Sequence, residues 1–215
     1  MLAAVLLAAP AQATDHDAQV WTSLTATAPM SKRVDVTLEA HGRFSDDVSR
    51  LGQLLLRPSA TLKLPGGASV AVGYVYARTA FANTRTNEEH RSWQQVGYRL
   101  HENGRMRLTG RTRMEQRFRV GATDDVGWRL RQQLRVQAIR PGKVAPLVWN
   151  ETFVQLNDTR WGARSGVDQV RTFVGASVPL NKALSIEPGY LNQTIFRAGP
   201  ERVNHIALAA LVARL

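Results

Sequence analysis

An alternation of polar and largely apolar residues over 105–120 constrains the fold of this sequence more than any other feature. Of the eight positions from Arg105 to Arg119 that share odd numbering, six are arginine. An α-helix would distribute these arginines around its circumference, whereas a β-strand places all of them on one face. The segment is therefore predicted to be a strand with one charged face and one face made of Met106, Leu108, Gly110, Thr112, Met114, Gln116, Phe118 and Val120.

Ten further segments are predicted to be strands. The same two-residue period is regular in 33–44, 53–64 and 128–139. It is less regular in 18–28, 68–81, 89–101, 146–157, 167–179, 183–196 and 203–215. No helical pattern and no linker interrupts the series, so residues 14–215 are expected to form one all-β domain.

The connections between these strands are predicted to alternate in length. Proline, glycine and asparagine mark short turns at 29–32, 65–67, 102–104, 141–143 and 181–182. Longer polar segments lie at 45–52, 82–88, 121–125, 158–166 and 197–202. Antiparallel hairpins with short turns at one end and long loops at the other are typical of a transmembrane β-barrel, with short periplasmic turns and longer extracellular loops.

The number of strands is the open point of this prediction. Eleven candidate strands conflict with the even numbers that are usual for single-chain bacterial barrels. Either 18–28 lies outside the wall and ten strands close the barrel, or one strand is unrecognised and there are twelve. We expect ten.

Two arrangements of the faces fit the alternation, a soluble barrel with arginine outside and a membrane barrel with arginine inside. Arginine on the lipid face would cost about 2–4 kcal/mol per residue at the bilayer midplane, so a membrane barrel must turn its polar row inward. The N-terminal segment 1–13 (MLAAVLLAAPAQA) is typical of a secretory signal peptide, although a basic beginning is missing and a core helix is the alternative. Together with the turn lengths it favours an exported protein of the bacterial outer membrane.

The formal net charge of +11 is carried mainly by arginine, since only four of the 28 basic residues are lysines. Arginine is better suited than lysine to pairing with buried carboxylates. The parity of the strands predicts these lumen-lining residues: Arg57, Arg91, Arg111, Arg113, Glu115, Arg117, Arg129, Arg131, Arg135, Glu151, Gln169, Arg171 and Gln193. Two functions fit them, a narrow salt-bridged barrel with a structural or envelope role and a small anion-preferring pore.

Catalytic signals are weak. Histidines His41, His90 and His205 and the carboxylate Glu89 are predicted near the long-loop ends of their strands, and His41 would approach His205 if 33–44 met 203–215 at closure. A rim-site hydrolase acting on lipid or peptide is therefore a third hypothesis, although we expect a non-enzymatic role. We expect no cofactor and no metal, because the chain lacks cysteine and shows no histidine cluster with metal-site spacing.

The expected partners follow from the basic surface and the predicted location. The sequence contains no recognised nucleic-acid-binding motif, so nucleic acid is not expected despite the charge. Outer-membrane lipids, including lipopolysaccharide, are expected to contact the basic loops, and the barrel-assembly machinery is expected to act during biogenesis. The oligomeric state is left open.

Several spaced motifs together resemble the domain-of-unknown-function 2490 family. They are Gln53-Leu54-Leu55-Leu56-Arg57-Pro58, Gly73-Tyr74, Glu89-His90-Arg91 with Trp93-Gln94-Gln95, Arg111 to Phe118, Trp128-Arg129-Leu130-Arg131, Asn150-Glu151-Thr152-Phe153, Asp168-Gln169-Val170-Arg171 and Gly189 to Gln193. The resemblance implies an outer-membrane β-barrel from a mostly Gram-negative group, and it implies no established activity. Such barrels commonly end in an aromatic residue, whereas this sequence ends in Leu215.

Overall fold

A computed structural model describes residues 14–83, 85–197 and 199–215, which form eleven β-strands and one short 3-10 turn at Pro65–Gly67. The predicted signal segment 1–13 lies outside the described residues. No helix in the described part of the chain is long and apolar enough to cross a membrane. The strands are β1 (Asp15–Pro29), β2 (Val34–Ser45), β3 (Arg50–Lys63), β4 (Ser69–Ala80), β5 (Thr86–Glu102), β6 (Met106–Arg119), β7 (Gly127–Ala138), β8 (Ala145–Gln155), β9 (Gly166–Pro179), β10 (Leu184–Ile195) and β11 (Arg202–Arg214).

The eleven strands form one closed barrel in chain order. Consecutive strands are antiparallel, and the barrel closes where β1 pairs with β11 in parallel, from Asp15 opposite Arg202 to Thr27 opposite Arg214. The prediction of an all-β barrel of about ten strands is confirmed. The segment 18–28, which a ten-strand barrel would leave out of the wall, belongs to β1. When an odd number of consecutive strands are antiparallel to one another, the first and the last run in the same direction. In this barrel of eleven strands β1 and β11 therefore pair in parallel.

The two ends of the barrel differ less than the sequence suggests. At one end, here called the turn end, the connections span three to six residues. At the other, the loop end, they span four to ten, and the segment expected to be a long loop at 45–52 shrinks to a four-residue turn. Asp46, Asp47 and Val48 in that turn all have positive φ, which folds the chain back within one tight loop.

The interior contains two apolar clusters beside its charged residues. One consists of Trp21, Leu147, Phe173, Leu191 and Ile206, and the second of Leu55, Ala71, Val75, Ala77 and Trp93. These side chains alternate with outward residues along their strands, as the pleat requires. The barrel interior is therefore filled by a mixture of apolar and charged side chains.

The outward face is mostly apolar and exposed, as in Leu38, Val72 and Val174. It departs from the expected apolar row in a belt of hydrogen-bonded polar side chains near the middle of β5 to β9. Ser92 donates to Gln116 at 2.8 Å, Thr112 donates to Gln132 at 2.6 Å, and Asn150 donates to Thr172 at 2.9 Å. We call these six residues the outer polar belt.

Candidate functional site

A chain of ion pairs crosses the barrel interior between β6, β7 and β8. Arg129 donates to Glu115 at 2.5 and 3.0 Å, and Arg131 donates to the other oxygen of Glu115 at 2.6 Å. Arg131 also donates to Glu151 at 2.8 to 3.1 Å, and Arg111 donates to Glu151 at 3.0 Å. These five residues are the central network. Its two carboxylates each bridge two arginines, an arrangement that the planar guanidinium group favours.

The middle of the central network is buried, whereas Arg111 at its edge is partly exposed. Glu115 is 0% exposed, and Arg113, Arg129 and Arg131 are each 4% exposed. Arg113 adjoins the network at 3.9 Å from Glu115, donates to Gln95 and stacks on the ring of Trp93. Buried charges are tolerated only when they are paired and hydrogen-bonded, so this layer depends on every one of its partners.

Smaller ion-pair groups lie on either side of the central network. Toward the loop end, Glu89 accepts from Arg91 at 2.8 Å and from Arg117 at 2.5 Å. Toward the turn end, Arg135 donates to Glu187 at 2.6 Å. The interior carboxylates thus each neutralise one or more of the arginines around them.

Among the described residues, Arg43, Arg119 and Arg171 line the interior without such a partner, and two of them share one tryptophan ring. Arg43 and Arg171 both lie against Trp21, with their guanidinium carbons 3.8 and 5.0 Å from the ring centre. Arg43 donates to Gln53 at 2.7 Å, and Arg171 donates to Gln169 at 3.0 and 3.2 Å. In the described part of the chain, neither has a carboxylate oxygen within 4.0 Å. Their hydrogen-bond partners are neutral amides, so neither forms a direct ion pair with the described residues.

A cavity of about 420 Å³ opens at the loop end above the central network. Trp21, Arg43, Arg57, Arg131 and Arg171 line it, and the same five side chains line a second cavity of about 160 Å³ toward the turn end. These side chains therefore form the layer between the two cavities. The loop-end cavity is here called the loop-side cavity.

The β8–β9 loop closes over part of the loop-side cavity. Trp161 of this loop lines the cavity, and the guanidinium of Arg117 lies 5.2 Å from its ring centre. Trp161 donates from its indole nitrogen to the carbonyl oxygen of Asp125 at 2.8 Å. The side chain and backbone N–H of Arg160 donate to the Asp125 carboxylate and lower its pKa to about 2. The ion pair thus joins the β6–β7 and β8–β9 loops.

All thirteen residues expected in the lumen have inward side chains, but the structure divides them among several groups. Five of them are the central network, and Arg113 lies beside it. Arg91 and Arg117 share Glu89, Arg57 donates to Glu39 at 3.2 Å, and Arg135 lies near the turn end. Gln169, Arg171 and Gln193 form a hydrogen-bonded group on β9 and β10.

The catalytic candidates do not come together. His41 points inward and lies 3.0 Å from Glu39, whereas His205 is outward and lies near His16 and Tyr190. The expected approach of His41 to His205 is wrong, because β1 separates β2 from β11. His90 is outward and bonds to Tyr74, while its neighbour Glu89 is inward. No three His, Asp or Glu side chains among the described residues are arranged to hold a metal ion.

Sequence reasoning missed Trp21 and Arg43 as members of the interior site. Trp21 is missed because the ten-strand prediction leaves residues 18–28 out of the barrel wall. Arg43 shares the parity of Glu39 and His41 in β2, and this parity was the signal that could have identified it.

Comparison with known proteins places these features in a family context. A family model described as "Protein of unknown function (DUF2490)" matches residues 18–204, from within β1 to the start of β11. An uncharacterised protein of Methylorubrum extorquens is 34% identical over 203 residues, which cover 93% of this chain and 88% of that relative. The family match therefore includes the central network and the residues around the loop-side cavity.

Proposed function

The chain belongs to the DUF2490 family of proteins of unknown function, and from its barrel we propose that it is a bacterial outer-membrane protein with a closed lumen and a structural role in the envelope. The observation that carries this proposal is the complete burial of Glu115 between Arg129 and Arg131. A conducting pore needs a water-filled path, and a carboxylate facing such a path would be exposed to it. Closure by ion pairs is therefore the better explanation of the arginine rows.

The apolar cluster around Trp21 is a second observation that supports a closed lumen. Phe173, Leu191 and Ile206 are each 0% exposed and pack with Trp21 and Leu147 inside the barrel. Apolar constrictions obstruct ions even where a narrow gap remains, because they lose their water. Ionic and apolar side chains that fill the same interior thus both oppose conduction.

Location in a membrane is supported by the distribution of the two faces. The arginine rows are inward, the exposed outward residues are mostly apolar, and every strand has at least eleven residues. About 9–11 residues of a tilted strand cross the hydrocarbon core. The outer polar belt is compatible with this location because its side chains bond to one another, which reduces the cost of removing them from water.

The proposed partners are the lipids at the loop end and the machinery that inserts barrels. Arg85 and Arg164 are exposed in the loop-end connections. Arginine forms bidentate bonds with phosphate groups, so these side chains suit contact with lipopolysaccharide headgroups.

Single-channel recording in planar bilayers tests closure. Folding is verified first by the change in gel mobility that a folded barrel shows on heating. Wild-type protein is expected to leave the bilayer sealed, whereas a double variant Glu115→Ala and Arg131→Ala that remains folded is expected to conduct more. Met114→Ala, an outward change on the same strand, is the matched control. Steady anion-selective steps from folded wild-type protein would refute closure and favour the pore.

Membrane fractionation tests the location independently. In a Gram-negative host the protein is expected to sediment with lipopolysaccharide after the inner and outer membranes are separated. Recovery of folded protein in the soluble periplasmic fraction would contradict the outer-membrane assignment. The hydrolase alternative has less support, because His90 and His205 lie on the outward face and Glu89 is occupied by two arginines.

A further inference from the structure

We propose that the loop-side cavity binds a small, water-soluble phosphorylated organic molecule through Arg43 and Arg171. The inference goes beyond the proposed envelope role, and it requires only the barrel interior. A barrel closed below this cavity would hold the ligand in a cup that is open at one end.

The first support is charge. Arg43 and Arg171 both line the cavity and both lie against Trp21, and in the described residues they have amide partners and no carboxylate within 4.0 Å. Two neighbouring guanidinium groups in a poorly solvated interior repel each other, and an anion between them would remove that repulsion. In the central network, by contrast, arginines are neutralised by carboxylates of the protein itself.

The second support is unused hydrogen-bonding capacity. A guanidinium group has five N–H donors. The described residues supply partners for Nη1 of Arg43 and for Nε and Nη2 of Arg171, while Nε of Arg43 is buried without a partner. Nη2 of Arg43 and Nη1 of Arg171 are left without a partner among these residues, in side chains that line the cavity. Both are thus available to an oxyanion.

The third support is the size and the lining of the cavity. Its volume of about 420 Å³ lies within the range of small-molecule sites, roughly 300–1,000 Å³. Rings of Trp21, Phe153 and Trp161 line it together with the arginines. An inorganic ion would leave most of this space empty, whereas an organic group attached to the phosphate would contact the rings.

The position of the cavity favours a water-soluble phosphorylated molecule over a lipid headgroup. It is enclosed by the barrel wall and is reached from the loop end, so a molecule dissolved in water can enter it. A lipid would have to keep its acyl chains outside the wall while its headgroup entered the interior. The soluble phosphomonoester is therefore the proposed class, with sugar phosphates as the probe.

Titration calorimetry on the detergent-folded full chain tests the site, with glucose 6-phosphate, inorganic phosphate and glucose as separate probes. We expect saturable binding of glucose 6-phosphate that weakens as salt is added, weaker binding of inorganic phosphate and none of glucose. Intrinsic fluorescence supplies a second readout, because Trp21 contacts both arginines. Failure of wild-type protein to bind glucose 6-phosphate would overturn the proposal, and equal affinity for inorganic phosphate would overturn its organic component.

Variants locate the binding. Arg43→Gln and Arg171→Gln are each expected to weaken binding about tenfold or more, since each removes charge-assisted hydrogen bonds. Arg33→Gln removes the same charge from an exposed position in the β1–β2 turn and is expected to bind like the wild type. Arg43→Lys, which keeps the charge, is a second variant should Arg43→Gln fail to fold, and it is expected to bind more weakly than the wild type. Unchanged affinity in the folded Arg43 and Arg171 variants would refute this site. Ion conductance by the wild-type protein would refute only the proposed closure of the lumen.

Discussion

Arg129 directs two N–H donors at a single carboxylate oxygen of Glu115, at 2.5 and 3.0 Å, and Arg131 occupies the other oxygen of that carboxylate at 2.6 Å. One buried carboxylate of β6 thus pairs with two arginines of β7 in the middle of the barrel. The charge balance of the interior depends on this residue more directly than on the total charge of the chain.

Glu115→Gln is expected to lower the free energy of unfolding by about 3–5 kcal/mol, because it leaves Arg129 and Arg131 buried with less compensation. Urea unfolding of the detergent-folded barrel measures the change. Met114→Leu, an outward substitution one residue away, is expected to change the unfolding midpoint little. Equal midpoints for the two variants would show that the network is not important for stability.

The two faces of β4 are expected to react with different reagents when the protein is in a bilayer. Val72→Cys is outward and highly exposed, so a lipid-soluble maleimide should label it. Thr79→Cys lines the loop-side cavity and should react with a small water-soluble reagent. The chain has no cysteine of its own, so each label reports one site. The reverse pattern would contradict both the face assignment and the membrane location.

The contact between Asp125 and Arg160 is expected to break in acid. The folded pKa of Asp125 is about 2, below the ordinary value of 3.8, so the contact stabilises the loops fully above about pH 4 and is lost as the pH falls toward 2. Hydrogen exchange at the amide of Arg160, which donates to Asp125 at 2.7 Å, measures this opening. Asp125→Asn should exchange faster at neutral pH and lose the acid dependence. A variant that keeps the wild-type profile would exclude this ion pair as the cause.

The turn between β2 and β3 is expected to tolerate glycine at a β-branched position. Val48 has a φ of 64°, a region that costs a non-glycine residue roughly 1–2 kcal/mol. Val48→Gly should therefore maintain or slightly raise the unfolding midpoint in urea, because relief of strain offsets the added freedom of the unfolded chain. Val120→Gly, in another loop-end connection, should lower it. A loss at residue 48 as large as the loss at 120 would argue against the strained turn.

Cross-linking is expected to identify the strands that meet at the seam. Thr22 of β1 lies opposite Ala209 of β11, so cysteines at these two positions should form a disulfide on mild oxidation. Cysteines at Ala40 of β2 and Ala209 should not, since β1 lies between their strands. Formation of the second cross-link in folded protein would instead indicate a ten-strand barrel without β1.

The two-residue periodicity was sufficient to predict the barrel and the inward rows of arginine, because one residue of register decides the face of every side chain in a strand. It was not sufficient to place Trp21. The assumption that strand numbers are even removed residues 18–28 from the wall, and no local signal specifies which distant strands pair at closure. The β2–β3 turn was also missed, since consecutive positive φ values at Asp46, Asp47 and Val48 are unusual for these residue types.

Partner choice within the interior was equally beyond the reach of periodicity. Strand parity places Arg43 and Arg131 on the same face of the sheet, but only the closed barrel shows that Arg131 lies between two glutamates while Arg43 lies against Trp21. The distinction depends on contacts between strands that are far apart in the sequence. It is this distinction that separates the central network from the proposed binding site.

The parallel pairing of β1 with β11 also has a consequence for the order of folding. Each hairpin joins segments that are neighbours in the chain, whereas the seam joins Asp15 to Arg202 and therefore has the greatest sequence separation of all strand pairs. The entropic cost of bringing such distant segments together makes this the slowest pairing to form. Until it forms, the sheet has two unpaired edges, and each can capture another chain. Closure of this seam is thus the step at which assembly and aggregation compete.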